Sequence, residues 1–145
     1  MRRGFKYLWA MPATLLGAMF VPLAWCSGGK VQVIEGALEV YGGVPTLWLR
    51  LCRANAMTIG HVILGRDKAA LQLTRAHEHV HIKQYEAWGA FFIPAYFLSS
   101  LVAWLRSRHP YYDNYFEQEA FVRENRRAMQ ARAELTVRQN QPYSK

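Results

Sequence analysis

The apolar positions divide the chain into runs and alternations. After the basic start Arg2, Arg3 and Lys6, the chain is almost continuously apolar from Tyr7 to Cys26. Such a run is about long enough to cross a hydrocarbon core of roughly 30 Å. Pro12, Gly17 and Pro22 interrupt it in a way that membrane helices tolerate. Residues 1–28 therefore read as an N-terminal membrane segment retained as an anchor. A cleaved signal peptide and a re-entrant hairpin are the competing readings. Ala24 and Cys26 make a mediocre cleavage site, and Trp25 stands where a lipoprotein signal requires a small residue.

From Lys30 to Leu49 the pattern is one of strands and turns. Val31 to Glu35 alternates, Gly36 breaks the run, and Leu38 to Tyr41 alternates again before Gly42-Gly43, which predicts a hairpin. The β-branched stretch Ala56–Leu64, closed by Gly65-Arg66-Asp67, predicts a further strand. Thr74 as N-cap, good helix formers from Arg75 to Trp88 and Gly89 as a stop predict a helix. A second apolar run, Ala90–Leu105, contains Pro94, and Ser107 to Asp113 reads as a loop. A charged, solvated helix follows from Tyr115 to about Arg138, with residues 139–145 as a frayed tail. The whole is an α+β domain over residues 29–138 behind its membrane segment.

Composition sharpens that division. The chain of 145 residues is long enough for one domain and short for two. Its formal net charge is +8, and the basic residues flank the apolar runs, at Arg2, Arg3 and Lys6 and again at Arg106, Arg108, Arg123, Arg126, Arg127 and Arg132. That arrangement suits lipid headgroups, and no nucleic-acid module is recognisable, so the expected partner is membrane lipid. Cys26 and Cys52 form no Cys-x-x-Cys pair, which removes a thiolate metal site from consideration.

Candidate chemistry is concentrated in His77-Glu78-His79-Val80-His81. Residues four apart share a helix face, so His77 and His81 can direct imidazole nitrogens at one ion. Glu78 lies beside them, placed to act on a water bound there. His79 points away on a helix; only a strand would put all three histidines on one face. A catalytic zinc takes three protein ligands, which directs attention to the downstream carboxylates Glu117 and Glu119.

His77-Glu78-x-x-His81 followed by Gln84 and by Glu117-x-Glu119-Ala120 resembles the zinc metallopeptidases of the gluzincin type. It also resembles a set of small uncharacterised bacterial proteins with a zincin-like core. The resemblance covers roughly residues 56–125. It implies a small core in which a short antiparallel sheet packs on the metal-binding helix. It implies Zn2+ held by His77, His81 and Glu117, Glu78 as general base, and a peptide or protein substrate. Glu119 is the alternative third ligand. The segment Thr58–Leu64 would be the edge strand to which a peptide adds. Phe121 stands where this group often carries an Asp that supports the ligand set.

His61 reads as a packed strand histidine, and Tyr111, Tyr112, Tyr115 and His109 as either oxyanion donors or interfacial packing. A single crossing by Ala90–Leu105 would leave His77 and Glu117 on opposite sides of the bilayer. The shared site therefore requires this segment to lie in the interface, form a hairpin or pack in the domain. The basic start favours a cytoplasmic N-terminus, which places the site outside if the first segment spans once. A non-catalytic metal-binding module and a metal-free membrane-anchored scaffold are the rival functions.

Overall fold

The computed structural model describes residues 3–139, and the side chains of 6–136 and of Arg138. Arg2 and tail residues 140–145 lie outside the described residues. The predicted α+β class holds: among the described residues six α-helices frame a four-stranded sheet. Two adjoining helices, α1 (Arg3–Ala18) and α2 (Phe20–Cys26), lead into the hairpin β1 (Lys30–Ile34) and β2 (Ala37–Tyr41). Its two-residue turn, Glu35-Gly36, has positive φ at both positions, the backbone that matches the twist of paired strands.

Next comes α3 (Gly43–Leu51), where the sequence reading expected strands and turns. Pro45 sits in the first turn, where a missing N–H costs nothing, and Pro45 and Leu49 bury one face four residues apart. The single strand expected over Ala56–Leu64 is instead a second hairpin, β3 (Ala56–Ile59) and β4 (Val62–Gly65). Gly60 makes its turn at φ +65°, and a Cβ there would lie 2.3 Å from the backbone nitrogen of Thr14 in α1. The strand order is β1-β2-β4-β3, with β2 parallel to β4 and the other pairs antiparallel. The sheet is thus mixed, not purely antiparallel as expected, and of Thr58–Leu64 only the part in β3 lies at an edge.

The strands alternate between two cores. Val40, Val62 and Leu64 pack with Ala24 of α2 and Leu49 of α3, while Ala37 and Ile63 face Leu71 and Ile82 on the opposite side. The latter two belong to α4 (Lys68–Trp88), which starts two turns before the expected N-cap. Asp67 caps it by accepting from the Ala70 amide at 2.8 Å, and the Thr74 hydroxyl instead donates back to the Ala70 carbonyl at 2.9 Å. Gly89 ends α4 as predicted, at φ +57°. A single 3₁₀ turn leads into α5 (Phe92–Leu105), and a loop into α6 (Tyr115–Gln139). Ala10, Ala13, Tyr85, Phe92 and Phe116 join α1, α4, α5 and α6 in a third cluster. Two stretches, Lys6–Cys26 and Lys68–Leu105, are long and apolar enough to cross a membrane.

Candidate metal centre

The middle of α4 places His77 and His81 one turn apart on the face that meets α6, and Glu117 projects from the first turn of α6 towards them. The Nε2 atoms of the two histidines lie 3.1 Å apart. Glu117 reaches both, with Oε2 at 3.1 Å from His77 Nε2 and Oε1 at 3.4 Å from His81 Nε2. The three ligand atoms fall within 4.8 Å of one another, and all three residues are buried. This arrangement can hold a metal ion.

The outer ring nitrogens test that fit, because they decide where the inner ones carry protons. Gln84 donates through Nε2 to the Phe116 carbonyl at 3.0 Å and to Glu119 Oε2 at 2.8 Å. Its Oε1 therefore faces His81 as an acceptor, and His81 Nδ1 donates to it at 2.8 Å. On the other ring, His77 Nδ1 donates to Glu124 Oε2 at 3.2 Å. With both Nδ1 atoms engaged, the two Nε2 atoms and the Glu117 carboxylate converge on one point, where a cation or shared protons can satisfy them. Burial works against charging His77 and His81, but the hydrogen bonds of Glu117 outweigh it and raise both pKa values. Burial likewise opposes ionisation of Glu117, yet its bonds to His77, His81 and Tyr96 hold it well below the usual carboxylate range.

Glu78 is buried beside the ligands, and that burial raises its pKa. Its Oε2 accepts from the Thr58 hydroxyl of β3 at 2.7 Å, which fixes the carboxylate between the sheet and the ligand pair. Tyr96 of α5 donates to Glu117 Oε1 at 2.7 Å, and Tyr111 of the following loop stands beside Glu117. Burial pushes both phenols above their ordinary pKa, so both hydroxyls keep their protons.

The structure therefore brings His77, His81, Glu117 and Glu78 together. The alternative ligand Glu119 stays out of the cluster, held by Gln84 and by Arg123 at 2.6 Å. His79 turns away, with Nδ1 at 3.0 Å from the Arg75 carbonyl. His61 is not on a strand: it occupies the β3–β4 turn, stacked on Tyr7 and bonded to Thr14 at 3.1 Å. Tyr112 packs on Tyr111 and on His109, away from the ligands, and Tyr115 packs on Phe116. Sequence reasoning missed three participants: Tyr96, Thr58 and Glu124. Phe121 packs its ring on His77 at 4.7 Å, and the supporting carboxylate comes from Glu124, one helical turn further on. The seven-residue step from Glu117 to Glu124 keeps both on one face of α6, which is the signal that would have found it. No protein-family model matches the chain, and no curated protein or solved structure matches it.

Proposed function

We propose that this protein is a membrane-associated, zinc-dependent metallopeptidase on a zincin-like core. The observation that carries the reading is the pair of inward-facing Nε2 atoms opposite the Glu117 carboxylate, with both outer nitrogens already engaged. Two histidines and one carboxylate are a common ligand set for a catalytic zinc with one open position. Zinc held by His77, His81 and Glu117 would polarise a water and bring its pKa towards about 7.

This chain's residues supply the rest. Glu78 accepts the proton of the water that adds to a peptide carbonyl, then returns it to the departing amine. Thr58 keeps the carboxylate aimed by bonding one of its oxygens. Tyr111 is the protonated donor available to the developing oxyanion, beside Glu117.

The burial of all three ligands supports a second reading, a structural metal centre without catalysis. Metal content and peptidase assays separate the two. Wild type should carry about one zinc per chain, and His81→Ala and Glu117→Ala should lose it. Metal-loaded Glu78→Gln should keep the ion and lose roughly 10²- to 10⁴-fold in peptide cleavage. Cleavage by Glu78→Gln at the wild-type rate would sink the peptidase reading, and wild type that takes up no zinc would sink both.

A further inference from the structure

Helix α5 has no polar face. Between Phe92 and Leu105 its only polar side chains besides Tyr96 are Ser99 and Ser100. Both hydroxyls are already used, Ser99 by the Tyr115 amide at 2.9 Å and Ser100 by Asn114 at 2.7 Å. Phe92 and Ala103 pack inward, while Phe97, Leu98, Leu101 and Trp104 are each 48–67% exposed. The same division holds on α1, where Ala10 and Ala13 are buried against the domain and Leu8, Leu15 and Leu16 are 53–61% exposed. The two outer faces are continuous, because Trp9 of α1 meets Phe91 at 6.2 Å and an apolar groove runs between them to Leu98. An apolar surface of this extent marks an interaction site.

Charge identifies what covers it. No acidic residue occurs before Glu35 or between Ala87 and Tyr112. Basic residues stand at the rim: Arg106 and Arg108 directly follow α5 and are exposed, while Lys6 at the start of α1 is paired with Glu86 at 3.4 Å. Apolar helices edged by exposed arginines match hydrocarbon beneath anionic headgroups.

Packing decides the orientation. Gly17 of α1 lies so close to β3 and β4 that a Cβ there would meet the Ile59 carbonyl at 2.6 Å. Ala24 of α2 is fully buried in the core of the sheet. An α1–α2 segment crossing the bilayer would carry this open sheet, with its unpaired edge groups, into hydrocarbon, where nothing satisfies them. Helix α5 is tied back in the same way, through Gly89 ahead of it against Trp9 and through Asn114, which donates to the Tyr96 carbonyl in its middle at 3.0 Å. We infer that the joined outer faces of α1 and α5 seat the protein on the surface of an anionic phospholipid bilayer, with both helices in the plane of the interface and neither crossing.

Vesicle sedimentation of the purified full-length chain tests the surface. Phosphatidylcholine vesicles containing phosphatidylglycerol should pellet wild type. Phe97→Glu/Leu101→Glu, both outward positions, should weaken that binding about tenfold or more. Arg106→Gln and Arg108→Gln should each weaken it about fivefold, and only when the anionic lipid is present. Leu73→Glu, on α4 away from this surface, should bind like wild type. Undiminished binding by the double glutamate variant, equal loss in Leu73→Glu, or wild type that self-associates through this face and ignores vesicles would overturn the proposal. Orientation is read in bacterial spheroplasts with an impermeant maleimide, comparing Cys26 with a cysteine added ahead of Met1. Labelling of both from one side is expected, and labelling from opposite sides would overturn it.

Discussion

Two buried ionic clusters hang from α4, two residues apart in sequence and unlike in completeness. Arg75 donates through Nε and Nη2 to the two oxygens of the fully buried Glu39, at 2.6 and 3.0 Å, and Gln32 donates to Glu39 at 2.6 Å. Charges cancel and the carboxylate's acceptors are filled. Burial would raise the Glu39 pKa, but these partners outweigh it and lower it. His77, His81 and Glu117 are also buried, yet their inner nitrogens and carboxylate converge on one point, where they close only through a shared proton or cation. Burial and opposite charge alone therefore do not mark a functional site. What separates a structural ion pair from a metal centre is whether the donors and acceptors close among themselves.

The largest effect should come from breaking the closed cluster. Arg75→Met leaves Glu39 buried without its partner and should cost about 3–5 kcal/mol, seen as a lowered denaturation midpoint. Adding Glu39→Leu should recover most of that loss, because the apolar pair leaves no charge stranded. No compensating pair of that kind should restore the metal centre. A smaller effect is expected at its periphery: Glu124→Gln should lower zinc affinity about tenfold, with metal still bound, measured by competition with a chromophoric chelator. Unchanged affinity would mean that Glu124 does not set the His77 tautomer.

The smallest effect is the pH response of Glu39. Its folded pKa lies below the unfolded value of 4.5, so its stabilisation is complete above that value. It is lost as pH falls through the folded pKa. Urea midpoints taken from about pH 6 to about pH 3 should fall more steeply in wild type than in the Arg75→Met/Glu39→Leu protein. Parallel curves would remove Glu39 from the acid response.

Features carried by local chemistry were legible in the sequence. The β1–β2 hairpin follows from alternation around Glu35-Gly36, the His77/His81 face from helical spacing, and α6 from its charged pattern. The pairing of His77 and His81 follows from one helix, and Glu117 came through the resemblance. What escaped depends on partners distant in sequence. The β3–β4 turn at Gly60-His61 is stabilised by Thr14 of α1, to which the His61 amide donates at 3.1 Å. Gly60 is the one local signal of that turn, and the β-branched residues around it mask it. The parallel pairing of β2 with β4 likewise depends on α3, whose short apolar run with an early proline also fits a strand. Tyr96 carries no sequence signal of its role, because its hydroxyl partner Glu117 lies on another helix.

Gly89 has a consequence for reach. The stretch from Lys68 to Leu105 is 38 residues, and as one straight helix it would form a rod about 57 Å long. On that rod the rings of His81 and Tyr96 would stand about 22 Å apart along the axis. They are 6.5 Å apart, because the chain reverses at this glycine. A side chain here would collide with Trp9, with a Cβ 2.5 Å from its indole. One residue without a side chain thus turns an elongated lever into a clasp. It lets the chain bring His77, His81 and Glu117 together with Tyr96, between segments that a rod would hold apart.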